Sequence, residues 1–246
     1  MEAQGKNMMN DDNVSMTGTL NIVTTPIGDY SDMSLRAIRT LEESDKLYCE
    51  EFREGTKLLR FFDIKKDLSD INEHNETESS EEIFLELLSG KNISLISDCG
   101  TPLFSDPGKL IVSKCIEAGI KLEFLCGANS LLASIVLSGF DISRFFYFGF
   151  LSPKADIRKK QMKDFSASER VSVILDAPYR LKAVLKDIDE VFGERRIFVA
   201  FNVTQKSEKK FRGTARIILE EIGEENLKGE FVIVIDKYND KHDDLQ

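Results

Sequence analysis

Short apolar runs alternate along the chain with longer stretches of helical spacing. Thr19–Val23 reads as a strand, and Leu35, Ala37, Ile38 and Leu41 recur at helical intervals after Asp32 or Ser34 as N-cap. Lys46–Glu50 reads as a second strand and Lys57–Phe62 as a short helix. Ser79 with Glu82 forms a capping box ahead of Ile83, Leu87 and Leu88, and Gly90 ends that helix. Asn92–Ile96 is the next strand. Asp106 caps a helix that takes Pro107 as its first residue and stops at Gly119. Lys121–Leu125 and a helix from Ala128 to Ser138 follow, closed by Gly139. Strands and helices in this alternation predict parallel βαβ units.

Past Ser138 the texture changes. Phe145–Phe150 is an aromatic strand, and 151–156 carries Pro153 among charges, as a linker would. A basic helix, a strand Val171–Leu175, a helix started by Pro178 and a strand Arg196–Asn202 come next. Phe211-Arg212-Gly213, a helix Thr214–Ile222 and a strand Glu230–Asp236 complete a second, mixed α/β layer. The expected division is a disordered leader over 1–17, an N-terminal α/β domain over 18–149, a C-terminal α/β domain over 150–238 and a disordered tail over 239–246.

Two loops stand out. Thr24-Thr25-Pro26-Ile27-Gly28-Asp29 follows the first strand; Ser97-Asp98-Cys99-Gly100-Thr101-Pro102, with Ser105-Asp106-Pro107-Gly108, follows the third. Both open at the carboxyl edge of a sheet, where α/β folds bind ligands. Rigid Pro and closely approachable Gly suit that task, although either loop alone could be simple turn punctuation.

Composition sharpens this picture. The 246 residues are 41% apolar and 31% charged, as in a globular protein with one large or two smaller domains. No apolar stretch is long enough to span a bilayer and the polar N-terminus is not a signal peptide, so the chain is expected in the cytoplasm. Cys49, Cys99, Cys115 and Cys126 form no CxxC pair and stand near no His cluster, so no metal site or disulfide framework is expected. The net charge of −10 excludes a nonspecific nucleic-acid binder. That acidity belongs to residues 1–150, because 151–246 hold 19 Lys and Arg against 18 Asp and Glu. Basic clusters at Lys154, Arg158, Lys159, Lys160 and Lys163, and at Lys206, Lys209, Lys210, Arg212 and Arg216, are either solvated faces or phosphate contacts.

Nine short segments then fall in one order: Leu20–Asp29, Leu35-Arg36-Ala37, Glu50-Glu51-Phe52-Arg53, Glu73-His74-Asn75-Glu76, Ser97–Pro102, Ser105–Gly108, Ala177-Pro178-Tyr179-Arg180, Arg212-Gly213-Thr214 and Lys228-Gly229-Glu230-Phe231. Together they resemble the bacterial small-subunit ribosomal RNA cytidine 2'-O-ribose methyltransferases of the tetrapyrrole methylase superfamily, from about Leu20 to Asp236. The resemblance implies two α/β domains of the tetrapyrrole methylase type with the cofactor cleft between them, usually in a homodimer. It implies transfer of a methyl group from S-adenosylmethionine to a cytidine ribose of small-subunit ribosomal RNA, as naked RNA or in the assembled subunit, with neither metal nor membrane involved.

By motif position, the resemblance puts Pro26 and Ile27 on the methionine side of the cofactor. Asp98 and Thr101 would lie beneath it, and Gly127, Ala128 and Asn129 would form a second wall. Phe201, Gly229 and Glu230 would contribute from the second domain. Methylating a hydroxyl also releases a proton, so Asp29, Glu51 and Glu76 are the candidate catalytic carboxylates, with Glu50 and His74 also in view. Arg53, His74, Asn75 and Arg180 are the candidate RNA contacts, although either arginine could instead be a salt-bridge partner.

The sequence departs from the family pattern in several places. Cys126-Gly127-Ala128-Asn129 replaces a Pro-Gly-Pro-Ser turn, Glu50-Glu51-Phe52-Arg53 replaces Glu-Asp-Thr-Arg, and Asp29 replaces an Asn. Phe201-Asn202-Val203-Thr204 stands for Arg-Glu-Leu-Thr, and the family's helical C-terminal extension is not expected after the last strand. Two other readings accommodate these changes: a diverged protein that binds S-adenosylmethionine without catalysis, and a small-molecule methylase of the tetrapyrrole type.

Overall fold

A computed structural model describes residues 17–104 and 106–238. The expected leader, apart from Thr17, and the expected tail lie outside the described residues, as does Ser105 of the second loop. Backbone contacts divide the chain into two units. The first comprises residues up to Pro26 and Tyr30–Ala128; the second comprises Ile27–Asp29 and everything from Asn129 onward.

The first unit is a five-stranded parallel sheet in the order β3-β2-β4-β1-β5, built from β1 Thr19–Val23, β2 Lys46–Cys49, β3 Leu68–Asp70, β4 Ile93–Ile96 and β5 Lys121–Leu125. Helices cover both faces, as all-parallel sheets require. Helices α1 Leu35–Glu43 and α2 Phe52–Phe61 bring Leu41 and Leu58 onto Val23, Leu47 and Ile96. Helices α3 Glu76–Leu88 and α4 Lys109–Ala118 bring Ile83, Leu87, Ile111 and Cys115 onto Leu20, Tyr48 and Leu95. The two sets alternate along each strand, which is why these strands read as continuous apolar runs.

The second unit holds a five-stranded mixed sheet in the order β6-β7-β10-β8-β9. Its strands are β6 Phe145–Phe150, β7 Val171–Asp176, β8 Ile197–Phe201, β9 Lys209–Gly213 and β10 Phe231–Ile235. Only β6 and β7 run parallel; β10 pairs antiparallel with both β7 and β8. Helices α6 Ala155–Asp164, α7 Leu181–Phe192 and α8 Ala215–Ile222 close the main core through Met162, Leu185, Ile188 and Ile218. Helix α5 Ser130–Ser138 goes with this unit, so the contacts divide the chain at Ala128/Asn129, ahead of the Pro153 segment where composition changes.

Several helix starts differ from the sequence expectation: α2 begins at Phe52 rather than Lys57, α5 at Ser130 rather than Ala128, and α7 at Leu181, past Pro178. Helix α3 begins at Glu76, and Ser79, expected as its cap, is buried inside its first turn, where its Oγ donates to Asp70 O at 3.2 Å. Helix α4 begins at Lys109 with Gly108 as N-cap at φ +116°, so Asp106 and Pro107 lie ahead of the helix. The cap is a distant side chain. Glu76 Oε1 accepts the backbone N–H groups of Gly108 at 2.9 Å and Leu110 at 3.3 Å, a tertiary contact that local spacing cannot reveal. Strand β3 was not anticipated, since three residues at a sheet edge leave almost no periodic signal.

Candidate functional site

In the first unit, parallel strands place the loops after β1, β2, β4 and β5 along one sheet edge. Thr25 knots two of them together. Its N–H donates to Gly100 O at 2.8 Å, and its Oγ1 donates to Ser97 O at 3.1 Å and accepts from Gly100 N at 3.1 Å. Ser97 Oγ donates to the same Gly100 carbonyl at 2.8 Å. These groups are buried, so the knot satisfies polar atoms that would otherwise cost about 1–3 kcal/mol each. Gly127 lies so close to Thr24 that a Cβ there would fall 2.9 Å from Thr24 Cβ. Beside it, Thr24 Oγ1 is buried without a hydrogen-bond partner.

Asp98 ties the β4 loop to the start of α2, its Oδ1 accepting the Glu51 N–H at 2.9 Å. The surrounding charge is acidic. Burial, reinforced by Asp106, Asp98, Glu51 and Glu73, pushes the Glu50 carboxyl up to about 7. Burial and Asp98 push Asp106 up to about 6, and burial also raises Asp98. One edge of the sheet therefore holds a carboxyl that can take or release a proton near neutral pH. Among the described residues no group of three or more His, Cys, Asp or Glu side chains could hold a metal ion.

The other candidates of this unit separate. Glu76 is engaged as the α4 cap described above. Asn75 is part of its own turn, its Oδ1 accepting Asn72 N–H at 2.7 Å and its Nδ2 donating to Asp70 Oδ2 at 3.0 Å. His74 stands at the surface, its Nε2 3.5 Å from Glu73 Oε1. Arg53 is exposed in the first turn of α2, Thr101 and Ala128 are half-buried, and Pro26 is buried at the end of the β1 segment.

In the second unit the turn after β8 is the hub. Asn202 and Thr204 adopt φ of +48° and +67°, costly for a residue with a side chain and most tolerable for Asn. Thr204 N–H donates to Glu208 Oε2 at 2.6 Å, and Asn202 N–H to Glu230 O at 2.8 Å. Two glycines pack against this turn. A Cβ on Gly229 would fall 2.3 Å from Asn202 Oδ1, and one on Gly28 would fall 2.7 Å from Thr204 Oγ1. Asp29 N–H donates to that same Thr204 Oγ1 at 3.2 Å. Ile27, Gly28 and Asp29 thus belong structurally with Phe201, Gly229 and Glu230. Asn129 caps α5, its Oδ1 accepting Leu132 N–H at 3.0 Å.

Arg180 proves to be half of a buried pair. Its Nη2 lies 2.5 Å from Asp176 Oδ1, with the side chains 15% and 1% exposed. Asp176 Oδ2, Arg180 Nε and Nη1, and Asn202 Oδ1 are buried with no hydrogen-bond partner. They gather at one end of the sheet, because Asp176 and Phe201 both stand abreast of Phe231 and Gly229 N–H donates to Pro178 O at 3.2 Å. Sequence reading missed Asp176 and Asn202; the one signal available was a strand-end Asp four residues before an Arg.

The basic clusters are partly consumed by the fold. Arg158 is 3% exposed and donates to Asp187 Oδ2 at 2.7 Å and to the carbonyls of Ser152 and Pro153. Lys159 pairs with Glu190, Lys209 with Glu225, Lys210 with Glu208, and Arg212 donates to the carbonyls of Leu137 and Ser138.

Comparison with known proteins matches residues 19–218 to the family described as Tetrapyrrole (Corrin/Porphyrin) Methylases. The chain is 36% identical, over 92% of its length and 78% of the relative, to "Ribosomal RNA small subunit methyltransferase I" of Bacillus subtilis (strain 168). It is 35% identical to the protein of the same name from Thermotoga maritima, over 89% of this chain and 98% of that one. Among solved structures, a diphthine synthase aligns with a TM-score of 0.70 at 15% identity, covering 89% of this chain and 90% of that chain. A uroporphyrin-III-C-methyltransferase from Thermus thermophilus aligns with a TM-score of 0.59 at 17% identity, over 89% and 94%. These two likenesses concern the fold alone.

Proposed function

The chain belongs to the tetrapyrrole methylase family, and from that membership we infer that it is an S-adenosylmethionine-dependent methyltransferase acting on small-subunit ribosomal RNA, at the 2'-hydroxyl of a cytidine. The observation that carries this reading is the identity of 33–38% over about nine-tenths of the chain to relatives named ribosomal RNA small subunit methyltransferase I. The uroporphyrin-III-C and cobalt precorrin-4 methyltransferase structures align at 17% and 12% identity, a likeness of fold alone.

The residues present fit the cofactor. Thr24 Oγ1, buried without a partner beside Gly127, offers a polar atom to a bound group, and the Thr25 knot ties down the Ser97–Gly100 loop while Asp98 gives only Oδ1 to the fold. We assign Pro26, Asp98, Thr101, Gly127 and Ala128 of the first unit, and Ile27, Asn129, Phe201, Gly229 and Glu230 of the second, to contact with S-adenosylmethionine. When bound, this group supplies a methyl on a sulfonium, an electrophile that needs positioning rather than a metal.

The protein's own part is to orient the ribose hydroxyl and accept its proton. Beside the candidate carboxylates Asp29, Glu51 and Glu76, Glu50 is raised by burial to about 7, which suits a general base. Glu76 is already committed to two backbone N–H groups. Arg53, exposed at the start of α2, is proposed to meet the RNA backbone, with His74 and Asn75 as further contacts and Arg180 supporting from its buried pair. The enzyme is proposed to work in the cytoplasm as a homodimer; no described helix is long and apolar enough to cross a membrane.

Incubating the purified protein with labelled S-adenosylmethionine and small subunits from cells that lack it tests the reading. Label is expected in one ribose of the RNA and to persist with a chelator. Cofactor binding without transfer would instead favour the non-catalytic reading.

A further inference from the structure

Strand β6 is the edge of the second sheet, pairing only with β7, and it carries four half-exposed phenylalanines: Phe145, Phe146, Phe148 and Phe150. Two of them are organised. Phe148 stacks on Phe165, at the end of α6, with centroids 3.9 Å apart and planes at 21°. Phe146 meets Phe148 edge-on at 5.9 Å and carries the Arg170 guanidinium over its ring at 4.7 Å. Between them opens a cavity of about 450 Å³, lined also by Ser168, Asp164 and Glu169. Each ring has one face covered, yet Phe146 and Phe148 keep 43% and 37% of their surface in solvent.

Solvent-facing rings on an edge strand are a liability unless something uses them. A further strand is poorly suited to this edge. The β6–β7 register shifts between Tyr147 and Gly149, where Gly149 takes φ +68°, and such a bulge twists an edge away from further pairing. The neighbouring charge points to a polyanion: Arg144 precedes the strand, Lys160 and Lys163 are exposed one helical turn apart on α6, and Arg170 lies on the cavity wall. Rings beside cations suit unpaired nucleotides, whose bases stack while their phosphates meet the charges. The carboxylates of Asp164 and Glu169 can accept hydrogen bonds from the exocyclic amino group of a base.

We propose that Phe146, Phe148 and Arg170 form a stacking platform for a splayed-out base of single-stranded RNA flanking the methylated nucleotide. This rests on the ribosomal RNA reading above and adds a substrate-docking surface to it. Binding of small-subunit RNA, measured directly by filter retention, separates the two. The full-length variant Phe146→Leu/Phe148→Leu keeps the apolar bulk and removes the rings; it is expected to bind RNA about tenfold more weakly, the scale of one lost base stack. Its S-adenosylmethionine affinity, thermal midpoint and sedimentation should be unchanged, and Arg170→Gln should flatten the salt dependence of RNA binding. Undiminished RNA affinity in the double variant, or its conversion from dimer to monomer, would overturn the platform, the second result showing that the rings meet another copy of the chain. If wild-type protein binds RNA through these rings but methylates none, the platform stands and the enzymatic reading falls; if it binds no RNA, the platform falls.

Discussion

The backbone N–H of Glu51 donates to Asp98 Oδ1 at 2.9 Å, so the first residue ahead of α2 is held by the loop that follows β4. One carboxylate oxygen is thereby given to the fold. Asp98→Asn keeps an acceptor for Glu51 and should leave the thermal midpoint unchanged. Asp98→Ala should weaken S-adenosylmethionine binding by about 1–3 kcal/mol, the cost of a missing polar partner. Titration calorimetry reads this; an unaltered dissociation constant in a folded Asp98→Ala protein would leave Asp98 as a loop tie alone.

Glu50 should make stability depend on pH. Its folded value of about 7 lies above that of an ordinary glutamate, so between roughly pH 4.5 and 7 the folded state retains a proton that the unfolded chain has lost. Stability then falls as pH rises through that window and levels off above it. Glu50→Gln removes the titration and should be more stable than wild type at pH 8, by on the order of 1 kcal/mol after solvent screening, with no difference at pH 4. Urea melts at the two pH values check it, and equal stabilities at pH 8 would contradict it.

Glu76 is expected to behave as a cap before it behaves as a base. Glu76→Ala leaves the N–H groups of Gly108 and Leu110 without their acceptor and should cost about 1–2 kcal/mol. Glu76→Gln keeps an oxygen there and should recover most of that stability. If the Gln variant is as stable as wild type but transfers no methyl, Glu76 acts in the chemistry as well.

Two arginines that look equivalent in the sequence should part company. Arg180→Ala strands Asp176, whose side chain is 1% exposed, and should destabilise the protein by roughly 2–4 kcal/mol. Arg53→Ala, on an exposed helix start, should stay within about 0.5 kcal/mol of wild type. It should nonetheless lower methyl transfer to small subunits and flatten its salt dependence. Chemical denaturation and a salt series of the transfer assay distinguish them.

What the sequence revealed follows the range of the interactions involved. Strands β1, β5 and β6 have the expected bounds, Ser34 caps its helix, and Gly119 and Gly139 end theirs, because periodicity and capping act within a few residues. The shifted start of α4 is hidden for the opposite reason: the Glu76 cap crosses 32 positions to Gly108. The same holds at the candidate site. Pro/Gly punctuation exposed the loops around Thr25 and Gly127. The raised carboxyl of Asp106 and the unpartnered atoms of Asp176 and Asn202 depend on burial by residues remote in sequence.

The placement of Ile27–Asp29 in the second unit bears on how the nascent chain matures. Thr204, whose hydroxyl receives the Asp29 N–H, is translated 175 residues after it. At typical synthesis rates of about 5–20 residues per second, that segment waits on the order of ten seconds for its partner. Assembly of the second unit is therefore not purely sequential: it includes a piece made near the beginning. An excised fragment starting at Asn129 would lack that piece, leaving the Thr204 hydroxyl without its Gly28 and Asp29 neighbours.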